Sequence, residues 1–318
     1  MKRLNANQFQ LGAIYNVKII IIGDDFLAGY FGCSMILFVD SLTVIDFSYL
    51  CPRRGAVGES WITDIVLHGE LNEESMVLDF AKVKKQIKRI IDEKLDHKLA
   101  VPSALACNAK HSEGRFEFDM QFDGNHLAMN APEEAVCVVE GDEINEANAI
   151  AYLKSVIMPH MPENVKDLDI TLRPEAATGF YYHYSHGLKK HDGNCQRIIH
   201  GHRSLIGVKL NDISMPRLQK QWADKWQDIY LGSEEDLIDP SLLQYVTAHD
   251  KDYAFAYTSS QGYFELAISK SRCDILPCDT TVECIAEYLA GQIKLQNPHD
   301  KVEVRAYEGV GKGAIAYA

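Results

Sequence analysis

Five histidines and a cysteine crowd into twenty residues of this chain: His183, His186, His191, Cys195, His200 and His202. His200 and His202 flank Gly201, and residues two apart on a β-strand share one face. Two imidazoles on one strand face can grip one metal ion. His186, fourteen residues before His200, is the natural third ligand across a strand–loop–strand turn. Three histidines with one open position are an arrangement of catalytic zinc. Taken alone, the spacing suits surface histidines equally well. The eight cysteines are scattered without a Cys-x-x-Cys pair, and Cys195 alone has histidines near enough in sequence to suggest activation.

Two kinds of element must position such a cluster. Met35–Asp46 and Trp61–Leu71 alternate as strands. Val83, Ile87, Ile90 and Ile91 give a helix over Phe80–Leu95, ending at Leu95-Asp96-His97. An inserted hairpin is expected between Ser103 and Asn130, a helix over Asn145–Ile157 and a strand over Leu168–Leu172. After Ala177 the order recurs: strands at Phe180–Ser185 and Ser204–Leu210, a helix over Arg217–Tyr230, a hairpin at Tyr253–Ser259 and Tyr263–Ser269, a helix over Val282–Ile293 and a strand at Val302–Arg305. On this reading Thr247-Ala248-His249 stands where Leu95-Asp96-His97 stood. The chain therefore reads as two divergent copies of one α+β unit of roughly 140 residues. The expected division is an extension over residues 1–34, a degenerate unit over 35–176 and a metal-binding unit over 177–318. Lys18–Ile22 could add a strand, and Met35, where the cleaner pattern begins, is a candidate start of translation.

The 318 residues carry a net charge of −13 and 47% apolar residues. That balance disfavours nucleic acid or an anionic membrane as partner through the overall field. It leaves room for a phosphorylated small molecule in a locally basic pocket. No apolar run reaches the length of a membrane span, and unpaired thiols in an acidic chain suit a reducing cytoplasm.

Several segments together resemble the 6-pyruvoyl-tetrahydropterin synthase / 6-carboxytetrahydropterin synthase family. They are Met76-Val-Leu-Asp79-Phe80, Leu95-Asp96-His97, Tyr182-x-x-x-His186-x-Leu188, Cys195 before His200-Gly201-His202, Thr281-Val-Glu283 and Glu308 after the last strand. The resemblance implies tandem T-fold units, each an antiparallel sheet with two helices on one face, assembling into a homo-oligomer. It implies Zn²⁺ on His186, His200 and His202, Cys195 as a thiolate base, Asp96-His97 as the acid/base pair, and Glu308 and Thr281 holding a pterin. The motifs are divided between the copies. Leu50 or Cys51 and Gly58-Glu-Ser-Trp61 stand at the first copy's metal positions, so one zinc per chain is expected, and Glu175 is read as the counterpart of Glu308. Asp96-His97 would then serve the second copy's metal, with His249-Asp250 as the rival acid/base.

The implied reaction is a lyase conversion of 7,8-dihydroneopterin triphosphate to 6-carboxy-5,6,7,8-tetrahydropterin, on the route to 7-deazapurines such as queuosine. The alternatives are the 6-pyruvoyl product and a protein that binds zinc and pterin without turnover.

Overall fold

The computed structural model describes residues 34–70 and 79–318. Nearly all of the expected extension, the candidate strand at Lys18–Ile22 and the Met76–Leu78 part of the motif lie outside the described residues. In the N-terminal half the order is β1 (Ser34–Cys51), β2 (Gly55–Glu70), α1 (Phe80–Lys94), β3 (Leu99–Pro102), α2 (Ser103–Ala106), β4 (Lys110–Ser112), β5 (Arg115–Phe122), β6 (Asn125–Pro132), β7 (Val136–Val139), α3 (Glu146–Ile157) and β8 (Val165–Pro174). The C-terminal half follows with β9 (Tyr181–His186), β10 (His200–Leu210), β11 (Ile213–Ser214), α4 (Pro216–Lys225), β12 (Ile229–Ser233), β13 (Leu237–Ile238), β14 (Asp252–Ser259), β15 (Gly262–Ser269), β16 (Cys273–Leu276), α5 (Val282–Gln296), β17 (Val302–Tyr307) and β18 (Gly313–Tyr317).

The fold is mixed α+β. One sheet runs β7-β3-β1-β2-β8, and a second runs β16-β12-β9-β10-β17-β18. The second repeats the pairings of the first, strand for strand, before adding β18. Neither sheet is purely antiparallel, which corrects the expectation. β3 runs parallel to β1 and to β7, and β12 runs parallel to β9 and to β16. α1 and α4 lead the chain from β2 and β10 past β1 and β9 to their far edges, where β3 and β12 run with β1 and β9 and opposite to β2 and β10.

Each sheet is covered on one face by two helices. Val83, Ile87, Ile90 and Ile91 of α1 join Ala149, Leu153 and Ile157 of α3 over Ile45, Phe47 and Trp61. Trp222 of α4 and Ile285, Leu289 and Ile293 of α5 cover Tyr182, Tyr184 and Val208 in the same way. α1 starts where the Asp79 carboxylate accepts the backbone N–H groups of Ala81 and Lys82. α4 is shorter than the expected Arg217–Tyr230. It stops at Lys225, Asp228 turns left-handed at φ 58°, and Ile229 and Tyr230 belong to a strand.

The halves meet twice. The hairpins β5–β6 and β14–β15 pair edge to edge, with Ala128 opposite Ala267, in a third sheet ordered β13-β14-β15-β6-β5-β4. Their buried side chains, Phe116, Leu127 and Met129 with Phe255, Phe264 and Leu266, make a core shared by both halves. The uncovered faces of the first two sheets also press together, where Ser48 Oγ lies 2.7 Å from Ser185 Oγ and Gly58 lies against Gly201. A Cβ on Gly58 would fall 1.9 Å from the Tyr184 carbonyl oxygen and 2.6 Å from the His202 nitrogen. Backbone cannot swing aside as a side-chain tip can. Gly58→Ala is therefore expected to destabilise the chain by about 2–3 kcal/mol, at the upper end for an overpacked core. A denaturant midpoint unchanged from that of the parent chain would show that the faces can part at no cost.

Candidate metal and acid/base site

The C-terminal strands that meet at this crossing carry the histidines. His186 on β9 stands directly opposite His200 on β10, and His202 is two residues further along. All three are buried, with ring centroids 4.4 Å (His186–His200), 5.4 Å (His186–His202) and 5.9 Å (His200–His202) apart. One nitrogen from each ring lies within 4.8 Å of the others. The outward nitrogens of two rings are fixed. His186 Nδ1 donates to the Thr280 carbonyl at 2.9 Å, with the Thr280 hydroxyl 3.1 Å away, and His200 Nδ1 donates to the Arg197 carbonyl at 3.0 Å. A carbonyl can only accept, so Nδ1 carries the hydrogen and Nε2 carries the lone pair. Burial first, then the neighbouring imidazoles, holds His186 and His200 well below the ordinary histidine range.

The Nε2 atoms of all three histidines are buried without a hydrogen-bond partner among the described residues. Each such atom costs about 1–3 kcal/mol if left unsatisfied. A cation satisfies all three at once, and neutral imidazoles whose ring nitrogens are tied to carbonyls are the donor set of a zinc centre. These residues therefore fit Zn²⁺.

Beside them the structure gathers the acid/base candidates within one chain. Cys195 lies in a short turn, Asn194–Gln196, of the loop joining β9 to β10. The loop is pinned where the Gln196 carbonyl accepts the Tyr257 hydroxyl at 2.8 Å and where Lys189 pairs with Glu235 and Asp236. Cys195, His97 and His200 have ligand atoms within 4.8 Å of one another. His97 comes from the N-terminal half, just past α1, in a left-handed conformation at φ 53°. Two bonds clip that turn to β1: the His97 N–H donates to the Asp46 carbonyl at 2.7 Å, and the Asp46 N–H donates to Asp96 Oδ1 at 2.8 Å. Asp96 Oδ2 lies 2.5 Å from His97 Nδ1. Burial alone would lower His97, but its hydrogen bond to Asp96 and the nearby Cys195 sulfur raise it to about 10.

The remaining expectations divide. Glu308 lies at the cluster, its Oε1 4.0 Å from His202 Nε2 and its Oε2 3.6 Å from Lys312 Nζ. Thr281 spends its hydroxyl on capping α5 through the Cys284 N–H, while the adjacent Thr280 contacts His186. His249 is placed elsewhere, in the loop just before β14 of the third sheet. It stacks on His126 at 3.9 Å, beside Asp252, and no contact among the described residues joins it to Cys195 or the three histidines. Its expected match to His97 fails on register. Leu99 pairs with Ser48 as Tyr230 pairs with Ser185, so the counterpart of Asp96-His97 is Gln227-Asp228, and Asp228 shares the left-handed turn.

The first sheet's metal positions also move from those expected. Ser48 and Gly58 match Ser185 and Gly201, which puts Tyr49, Val57 and Glu59 in place of His186, His200 and His202. Arg54 closes that place, donating to both Asp228 carboxylate oxygens at 2.8 and 2.5 Å and to the Tyr49 hydroxyl at 3.1 Å. Counting on from the pairs Thr63–Leu172 and Ile206–Ala306, Pro174 rather than Glu175 answers Glu308. Asp46, Ser60, Thr280 and Lys312 are site residues that sequence reasoning missed. None lies in a metal-ligand spacing.

Residues 54–110 match the family model of 6-pyruvoyl tetrahydropterin synthase. No curated protein matches the chain. Solved structures with some likeness include a catalytic-residue mutant of Plasmodium vivax 6-pyruvoyltetrahydropterin synthase, at 15% identity and TM-score 0.37 over 44% of this chain and 91% of that one. Plasmodium falciparum 6-pyruvoyl tetrahydropterin synthase shows 14% identity and TM-score 0.35 over 44% of this chain and 90% of its own. The segment matched by the family model runs through β2, α1 and Asp96-His97, so the likeness to 6-pyruvoyl tetrahydropterin synthase rests on less than a fifth of the chain.

Proposed function

We propose that the chain is a zinc-dependent lyase acting on 7,8-dihydroneopterin triphosphate and one water, with 6-carboxy-5,6,7,8-tetrahydropterin, acetaldehyde and triphosphate as products, and that its halves are divergent T-fold copies sharing one active centre. The observation that supports this most is the meeting of Asp96-His97 from one half with Cys195 and the three histidines from the other. When bound on His186, His200 and His202, Zn²⁺ supplies Lewis acidity toward the side-chain oxygens of the substrate.

The chain's own residues do the rest. Cys195, as thiolate, takes a proton from the substrate side chain. Asp96 orients His97 and favours its imidazolium, so His97 can deliver a proton to the ring or side chain. Glu308 accepts the pterin's 2-amino and ring N–H groups as a bidentate carboxylate.

The test is to incubate the zinc-loaded chain with the triphosphate substrate and follow triphosphate release and product mass. Release with the carboxy product supports the reading, and the pyruvoyl mass would reassign the product. Metal bound with no release in any condition would leave a pterin-binding protein instead.

A further inference from the structure

We propose that Asp46, a residue of the N-terminal half, is the positioning residue for the metal ligand His202, and that Lys312 holds it in that role. The proposal rests on the metal-centre reading above and adds a contribution from the other half of the chain. His186 and His200 have their outward nitrogens tied to backbone carbonyls, but His202 has no such tie. Its Nδ1 instead lies 3.2 Å from Asp46 Oδ1, an ion-pair contact whose angle falls outside that of a formed hydrogen bond. A carboxylate behind a metal-bound imidazole fixes the ring and raises its basicity, and losing such a partner typically weakens metal binding.

Asp46 is itself held from every side. It is 3% exposed. Its Oδ1 accepts the Ser60 hydroxyl at 2.5 Å, and its Oδ2 lies 3.3 Å from Lys312 Nζ. Lys312 also reaches Glu308, so one ammonium joins the carboxylate behind the metal ligand to the carboxylate assigned to the pterin. The backbone of the same residue carries the two bonds that clip Asp96 and His97 in place. Asp46 therefore sets both the metal ligand and the acid/base pair from a single position on β1. At the matching place in the other half the roles are exchanged: His183 lies 3.8 Å from Glu59, and its Nδ1 donates to the Gly58 carbonyl at 2.6 Å. Among the described residues no second and third imidazole joins it in a metal-ligand cluster.

Co²⁺ binding to the full chain provides the test, read by chelator competition and by the visible d–d spectrum. Asp46→Asn keeps the volume of the side chain, and circular dichroism confirms the fold. Its Co²⁺ affinity is expected to fall by about 10–100-fold, with a shifted spectrum. Lys312→Met, at a half-exposed side chain whose loss leaves the core intact, should shift both readouts in the same direction by less, and it decides the matter if Asp46→Asn fails to fold. Affinities within about twofold of the parent, with an unchanged spectrum, would overturn the proposal alone. No Co²⁺ bound by the unaltered chain would overturn the metal reading and this proposal with it.

Discussion

Replacing His200 and His202 together with alanine is expected to abolish stoichiometric metal binding, and with it the stabilisation that the metal would confer. The argument starts from the three buried Nε2 atoms that have no partner among the described residues. Without a cation the folded chain carries their desolvation cost uncompensated, about 1–3 kcal/mol for each atom. Zn²⁺ at about 1,000 times its dissociation constant adds about 4 kcal/mol to the folded state. For a chain of this size that is a rise in melting temperature of roughly 5–10 °C. The double variant loses two of three ligands, so its melting temperature should not respond to Zn²⁺, and equilibrium dialysis should find far less than one ion per chain. Its own metal-free stability has two opposing contributions, because the truncations open cavities while removing three nitrogens without hydrogen-bond partners. The response to metal is therefore the clean readout. A double variant that still takes up one Zn²⁺ with the parent's thermal shift would place the metal elsewhere, with the His126–His249–Asp252 cluster the next candidate.

Much of this site was legible because strand geometry is a short-range rule. The i, i+2 spacing of His200 and His202 put both on one face, and one antiparallel turn was enough to bring His186 opposite. The helices were legible for the same reason, since Val83, Ile87, Ile90 and Ile91 mark a buried stripe at helical spacing. What stayed hidden depends on register between distant strands. The match of His249 to His97 followed from position along the chain. Strand pairing instead puts Asp228 in that place, and no local pattern marks β12 as a strand, because Ile229-Tyr230-Leu231 is buried on both faces and shows no alternation. Asp46 reads in sequence as a lone acid in an apolar strand. Its role appears only when Ser60, His202 and Lys312 converge on it from three other segments. The parallel pairings of β3 and β12 were missed likewise, because four or five buried residues carry no sign of strand direction.

His97→Ala is expected to lower turnover of the triphosphate substrate by about 10²–10⁴-fold, the usual contribution of a positioned acid or base, while His249→Ala stays within about twofold of the parent. The difference follows from where each ring sits. A ring nitrogen of His97 lies within 4.8 Å of Cys195 Sγ, and its ring centroid is 5.3 Å from that of His200. Its backbone is clipped to Asp46 independently of the side chain, so alanine removes the imidazole without releasing the turn. Metal content should therefore be unchanged in His97→Ala, which separates loss of the acid/base from loss of the centre. Asp96→Asn should fall between the two variants. It keeps a side chain beside His97 Nδ1 but removes the charge that favours the imidazolium, and it weakens the clip to the Asp46 N–H. His249 packs on His126 over the third sheet, where its loss touches no group assigned to the reaction. The opposite outcome, full turnover in His97→Ala and none in His249→Ala, would mean that the acid/base function does not come from the turn after α1. The two halves would then not share the labour of one centre in the way their contact at β1 and β10 suggests.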